Sequence, residues 1–181
     1  MKKRVTIGRA MLGLIILYTL LTAAIAHGNA PDYEWGAQLG NVKKTLPSDK
    51  ELVQFTPRDD PKYENKIMSY IIAIDNNLID KILIVRVKSQ PVIDYLFVSD
   101  KLYTVMENWG EVDQKTEKNI QSRLASQFGE PLVQKDNNFY IYSFKSDKTK
   151  VLCYVMKLSD GKSKCKVYYY TKQLFKMLIT G

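Results

Sequence analysis

The sequence predicts an α+β domain in two layers, an antiparallel sheet of about seven to eight strands with two helices on one face. Three observations predict it. Two stretches repeat apolar residues at helical spacing and stop at proline or glycine. Most of the rest consists of short runs rich in Ile, Val, Tyr and Phe. Brief clusters such as Pro57-Arg58-Asp59-Asp60-Pro61, Asp75-Asn76-Asn77 and Ser159-Asp160-Gly161 join the runs. Parallel strands need long crossovers, so short connections favour antiparallel pairing.

The first helix is expected over Gln38–Leu46, with Leu39, Val42 and Leu46 on one stripe and Pro47 ending it. Strands are expected next at Ile67–Ile74, Ile82–Lys88, Val92–Val98 and Leu102–Met106. The second helix is expected over Asp113–Phe128. Asp113 is its N-cap, Ile120, Leu124 and Phe128 recur every fourth residue, and Gly129 and Pro131 stop it. Further strands are expected at Asn138–Phe144, Val151–Leu158, Lys166–Thr171 and Leu174–Ile179. The order is a helix and then a strand meander, twice, which suggests weak half-repeats over residues 33–110 and 111–181.

The first 26 residues have a different character. Lys2, Lys3, Arg4 and Arg9 precede a nearly unbroken apolar run from Ala10, and Ala24-Ile25-Ala26 is a small-x-small cleavage signal. The run is shorter than the roughly 20 residues a spanning helix needs. Residues 1–26 are therefore expected to be a signal peptide and 27–181 a single exported domain, working in the periplasm or outside the cell. No cysteine lies near the cut, so no lipid anchor is expected.

Charge is unevenly distributed. Ile141–Gly181 holds nine lysines against Asp147 and Asp160, a net of +7, whereas His27–Tyr140 carries a net of −3. A basic lobe attracts an anionic partner such as lipid headgroups, an acidic protein or an anionic polysaccharide. It also serves as a plain solvated face. Nucleic acid is not expected as a partner of an exported protein.

The chain lacks the groups for several chemistries. His27 is its only histidine, so the folded body has neither a Ser-His-Asp or Cys-His nucleophile system nor a multi-histidine metal site. Ser159-Asp160-Gly161-Lys162 has the spacing of a serine–lysine acylating pair, but Asp-Gly reads as a hairpin turn. Asp59, Asp60 and Glu64 cluster in a proline-bounded loop. A pair of carboxylates stays open as the basis of a small hydrolase. No catalytic, cofactor-binding or metal-binding residue is singled out. Trp35 and Trp109, each before a glycine, read as packing residues, with sugar stacking as the sharper alternative.

The C-terminal hairpin yields the candidate contact residues. A two-residue turn at Asp160-Gly161 pairs Met156 with Cys165. It puts Leu152, Tyr154 and Met156 on one face with Cys165, Val167 and Tyr169. Lys157, Lys164, Lys166, Tyr168 and Tyr170 then share the other face, a basic and aromatic composition common at interfaces. The same register separates Cys153 from Cys165, whereas a bulge near the turn would bring them together in a compartment that permits disulfides.

Trp35-Gly36 with Val42-Lys43-Lys44, Tyr95-Leu96-Phe97, Phe128-Gly129-Glu130-Pro131 and Tyr168-Tyr169-Tyr170-Thr171-Lys172-Gln173-Leu174 resemble a large group of uncharacterised exported bacterial proteins. The repeat of helix and meander is similar to the beta-lactamase-inhibitor-protein-like fold and to the small outer-membrane-assembly lipoprotein domain. The resemblance implies a helix-on-sheet domain that binds proteins without catalysis. It assigns no residue a role. The expected function is thus a non-enzymatic binding or assembly module for an unknown protein or an anionic envelope component, with peripheral membrane contact. The alternatives are an envelope-associated structural protein held by its basic lobe and the carboxylate-dependent hydrolase.

Overall fold

The structure is a computed structural model describing residues 33–46, 51–174 and 176. The expected signal peptide and His27 lie outside the described residues. The chain divides into two compact units, Met1–Tyr33 and Glu34–Gly181, and the second contains the fold. Its elements are helix α1 (Leu39–Thr45), strand β1 (Glu51–Phe55), helix α2 (Lys66–Ile74), a 3-10 turn (Asn76–Lys81), and strands β2 (Ile82–Lys88), β3 (Val92–Val98) and β4 (Lys101–Val112). Helix α3 (Gln114–Phe128) follows, then β5 (Leu132–Asp136), β6 (Phe139–Lys145), β7 (Thr149–Lys157) and β8 (Ser163–Thr171).

The eight strands form one antiparallel sheet in the order β1-β2-β3-β4-β8-β7-β6-β5. Each meander runs inward from an outer strand, so the last strand of each, β4 and β8, meet at the centre. α1 and α3 lie on one face, here the back. Ile120 and Leu124 of α3 are buried, at 3% and 0% exposure, and Phe128 meets Tyr169 with ring centroids 6.3 Å apart. Asp113 caps α3 through its side chain, which accepts from Thr116 N at 2.7 Å. At the back-face margin, Lys43 of α1 donates to Gln54 of β1.

Ile67–Ile74 was expected as a strand and is instead helix α2. Its composition is strand-like, but Ile67 and Ile71 stand one helical turn apart, and Asn65 Oδ1 accepts from both Ile67 N and Met68 N. A side chain that satisfies two free donors starts a helix that propensity alone disfavours. α2 covers the front face, where Ile67, Met68 and Ile71 cluster with Ile84, Leu96 and Tyr168. In the stretch Leu174–Ile179, the described residues Leu174 and Lys176 are helical rather than extended.

The β7–β8 hairpin corrects the expected register. Leu158 N donates to Lys162 O, and Gly161 takes a positive φ of 80°, a conformation that glycine adopts without strain. The connection is thus a longer loop than two residues. Lys157 pairs with Ser163, and Val155 rather than Met156 pairs with Cys165. A shift of one residue exchanges the faces of one whole strand. Cys153 and Cys165 consequently share the back face as free, buried thiols. Lys164, Lys166, Tyr168 and Tyr170 share the front with Leu152, Tyr154 and Met156.

Candidate binding surface

Polar groups under α3 fix the back face. Glu107 on β4 is 6% exposed and accepts from both terminal nitrogens of Arg123, at 3.1 and 2.5 Å. Tyr169 Oη and Trp109 Nε1 donate to the same carboxylate at 2.9 and 3.0 Å. The geometry comes from a bulge. Asn108 pairs with Lys166 and Gly110 with Cys165, leaving Trp109 as the extra residue. Gly110, at a φ of 65°, accommodates the turn this forces. Burial alone would lower the Arg123 pKa, but the hydrogen bonds and negative charge of Glu107, with Tyr169, together outweigh it and raise it. Six residues earlier on α3, Glu117 accepts from Lys157 Nζ at 2.5 Å, from Ser163 Oγ at 2.5 Å and from Gln121 at 3.1 Å. Burial, reinforced by Glu117, pushes the nearby Cys165 thiol up to about 11, and burial raises Cys153 as well. Thiols held protonated are poor nucleophiles.

The front face has its own clamp. Asp94 is fully buried and binds Arg86 through two hydrogen bonds of 2.7 and 2.9 Å. Arg86 stacks over Phe55 and Tyr63, 4.9 and 5.6 Å from their ring centroids. Asn65 donates to Tyr63 Oη at 3.2 Å, which ties the start of α2 to this cluster. Asp94 pairs with Met106, one residue before Glu107, so the two buried carboxylates stand on opposite faces of the sheet.

The five expected contact residues do not form one surface. Lys157 lies on the back face, bound to Glu117. Tyr168 and Tyr170 are 3% and 9% exposed and belong to the core under α2, so they are not contact residues. Lys164 is exposed, 3.7 Å from Glu111, and Lys166 is half-buried. Below them the front face opens. α2 packs over the first meander and the central strands, while Phe139, Ile141 and Leu152 form a half-buried fringe of its core. Met156 is also half-buried, and Leu132 is 64% exposed. Lys66 of α2 lies 5.8 Å from the Tyr154 ring, and the exposed Tyr70 interacts electrostatically with Tyr154, so both border this floor. Lys145 and Lys150 pair across β6 and β7 on the same face, at the opposite end from Lys164. The sequence reading missed Phe139, Ile141, Lys66 and Tyr70. The capped, four-residue apolar spacing of α2 was the signal that would have found the last two.

The remaining motifs are structural. Ser159 and Lys162 stand on the exposed hairpin loop, where Asp160 accepts from Lys162 N at 3.0 Å, so no helix brings the serine and lysine together. Asp59 folds back on Thr56, accepting from its N and Oγ1 at 2.6 and 2.9 Å. These bonds hold its carboxyl below the usual range. Trp35 Nε1 donates to Thr149 Oγ1 at 3.0 Å. Among the described residues no cluster of three or more His, Cys, Asp or Glu side chains is placed to hold a metal. Nor is any described helix long and apolar enough to cross a membrane. Comparison with protein-family models, curated proteins and solved structures finds no match.

Proposed function

We propose that this domain is a non-enzymatic binding module of the cell envelope, and that it receives an anionic partner on the part of the front face left open by α2. One observation carries the reading. An apolar floor of Phe139, Ile141, Leu152 and Met156 continues out of the core, flanked on β8 by Lys164 and Lys166, level with Met156 and Tyr154, and bounded at its far end by Lys145 and Lys150. Apolar area supplies the contact energy and the lysines steer an anionic partner to it. The signal-peptide features of residues 1–26 support export. The envelope component is in this reading a protein or an anionic surface polymer.

A carboxylate-dependent hydrolase finds less support. Asp94, Glu107 and Glu117 are each held by a basic side chain, and Asp94 and Glu107 cannot flank one substrate from opposite faces. The test is sedimentation of the purified protein with envelope fractions. Binding is expected at low salt and should weaken as salt rises, as attraction between exposed charges does. The variant Lys150→Glu with Lys166→Glu, checked for an unchanged fold, should lose it. Retention by that variant at low salt overturns the reading.

A further inference from the structure

We infer that the outer edge of β5 is a docking site for an extended segment of a partner polypeptide, which adds to the sheet as a ninth, antiparallel strand. The inference rests on the edge of the sheet and is independent of the anionic partner proposed for its open face.

All five residues of β5 are exposed. The strand pairs with β6 in an unbroken register from Leu132↔Ser143 to Asp136↔Phe139, without a bulge or internal proline. No other described strand lies beyond it. Its outward N–H and C=O groups therefore form a ready template for another strand. Leu132 and Val133, at 64% and 54%, are the most exposed large apolar side chains among the described residues. They are adjacent, so they project from opposite faces of the sheet. A helix or a bilayer laid on either face covers one of them and leaves the other in water. A strand docked along the edge borders both.

The register also specifies the partner. Side chains directly opposite one another across a strand pair interact. An incoming antiparallel segment is favoured by a basic residue facing Asp136, an acidic one facing Lys135, and apolar residues facing Val133 and Leu132. A second copy fits poorly. Self-pairing centred on Gln134 sets Leu132 against Asp136 and Val133 against Lys135, which satisfies neither the charges nor the apolar pair.

The probe is a capped octapeptide of sequence threonine–lysine–glutamate–threonine–valine–valine–threonine–threonine, titrated into the ¹⁵N-labelled protein. Saturable amide shifts are expected along β5 and its neighbour β6. Lys135→Glu should weaken binding about two- to fivefold, the range of one cross-strand charge pair. A peptide with lysine in place of the glutamate should restore it. Val133→Lys, which changes an exposed position, should keep the native spectrum and weaken binding. Absence of saturable shifts at millimolar peptide overturns the inference, as do shifts confined to Lys150 and Lys166. Self-association of the protein alone that Val133→Lys abolishes also overturns it, by making a second copy the occupant.

Discussion

At the scale of single residues, the buried polar groups hold this domain in one arrangement. Glu107 and Arg123 lock α3 to β4. Removing one partner of such a pair leaves the other charge without compensation, so Glu107→Gln should cost about 3–5 kcal/mol, measured by urea unfolding. A loss under about 0.5 kcal/mol, the range of ordinary surface changes, would mean the pair is not formed. Cys153 and Cys165 lead to a second prediction. Labelling the unreduced protein after unfolding should find two thiols per chain. In the native state Cys165, at about 11 instead of 9.0, carries roughly a hundredfold less reactive thiolate. The sign of its effect on stability follows. A proton held more tightly in the folded state stabilises the protein below the unfolded pKa, and this is lost as pH rises through the folded value. Tyr154, pushed by burial up to about 12, acts in the same direction. The melting temperature should therefore fall from about pH 9 upward. A flat profile to about pH 11 would contradict the burial of these groups.

At the scale of elements, α3 and α2 differ in how openly the sequence announces them. Leu124 is fully buried, and Leu124→Ala should cost about 2–5 kcal/mol in the same unfolding assay. Asn65→Ala removes the acceptor for two amides at the start of α2 and should cost about 1 kcal/mol. α3 was legible because polar residues separate its buried positions and its cap and stop are conventional. α2 was not, because Lys66-Ile67-Met68-Ser69-Tyr70-Ile71-Ile72 has strand composition and only the Asn65 cap and tertiary packing decide it. The edge strands β1 and β5 also escaped the sequence reading. Neither faces a core on both sides, and β5 shows no alternation because none of its residues is buried. The hairpin loop and the helix α2, neither of them read from the sequence, separate the five candidate contact residues. A single residue of register moved Lys157 to the back face, and α2 covered Tyr168 and Tyr170.

At the scale of the whole molecule, the sheet closes at its centre. Thr104 Oγ1 donates to the carbonyl of Tyr169 at 2.7 Å, across a sequence separation of 65 residues, and β8 is bordered on both sides, by β4 and β7. A chain ending at Lys157 should therefore lack cooperative unfolding in a thermal melt, although it retains seven of the eight described strands. Cooperative melting of that chain would show that the first meander stands alone. The placement of β8 also governs timing. Synthesis from the N-terminus makes β1–β4 and then β5–β7 available, each from neighbouring segments, while the seat between β4 and β7 waits for the last strand to emerge. Until then the nascent chain has two open inner edges, on β4 and β7. The arrival of β8 thus acts as the latch on strands that are already made.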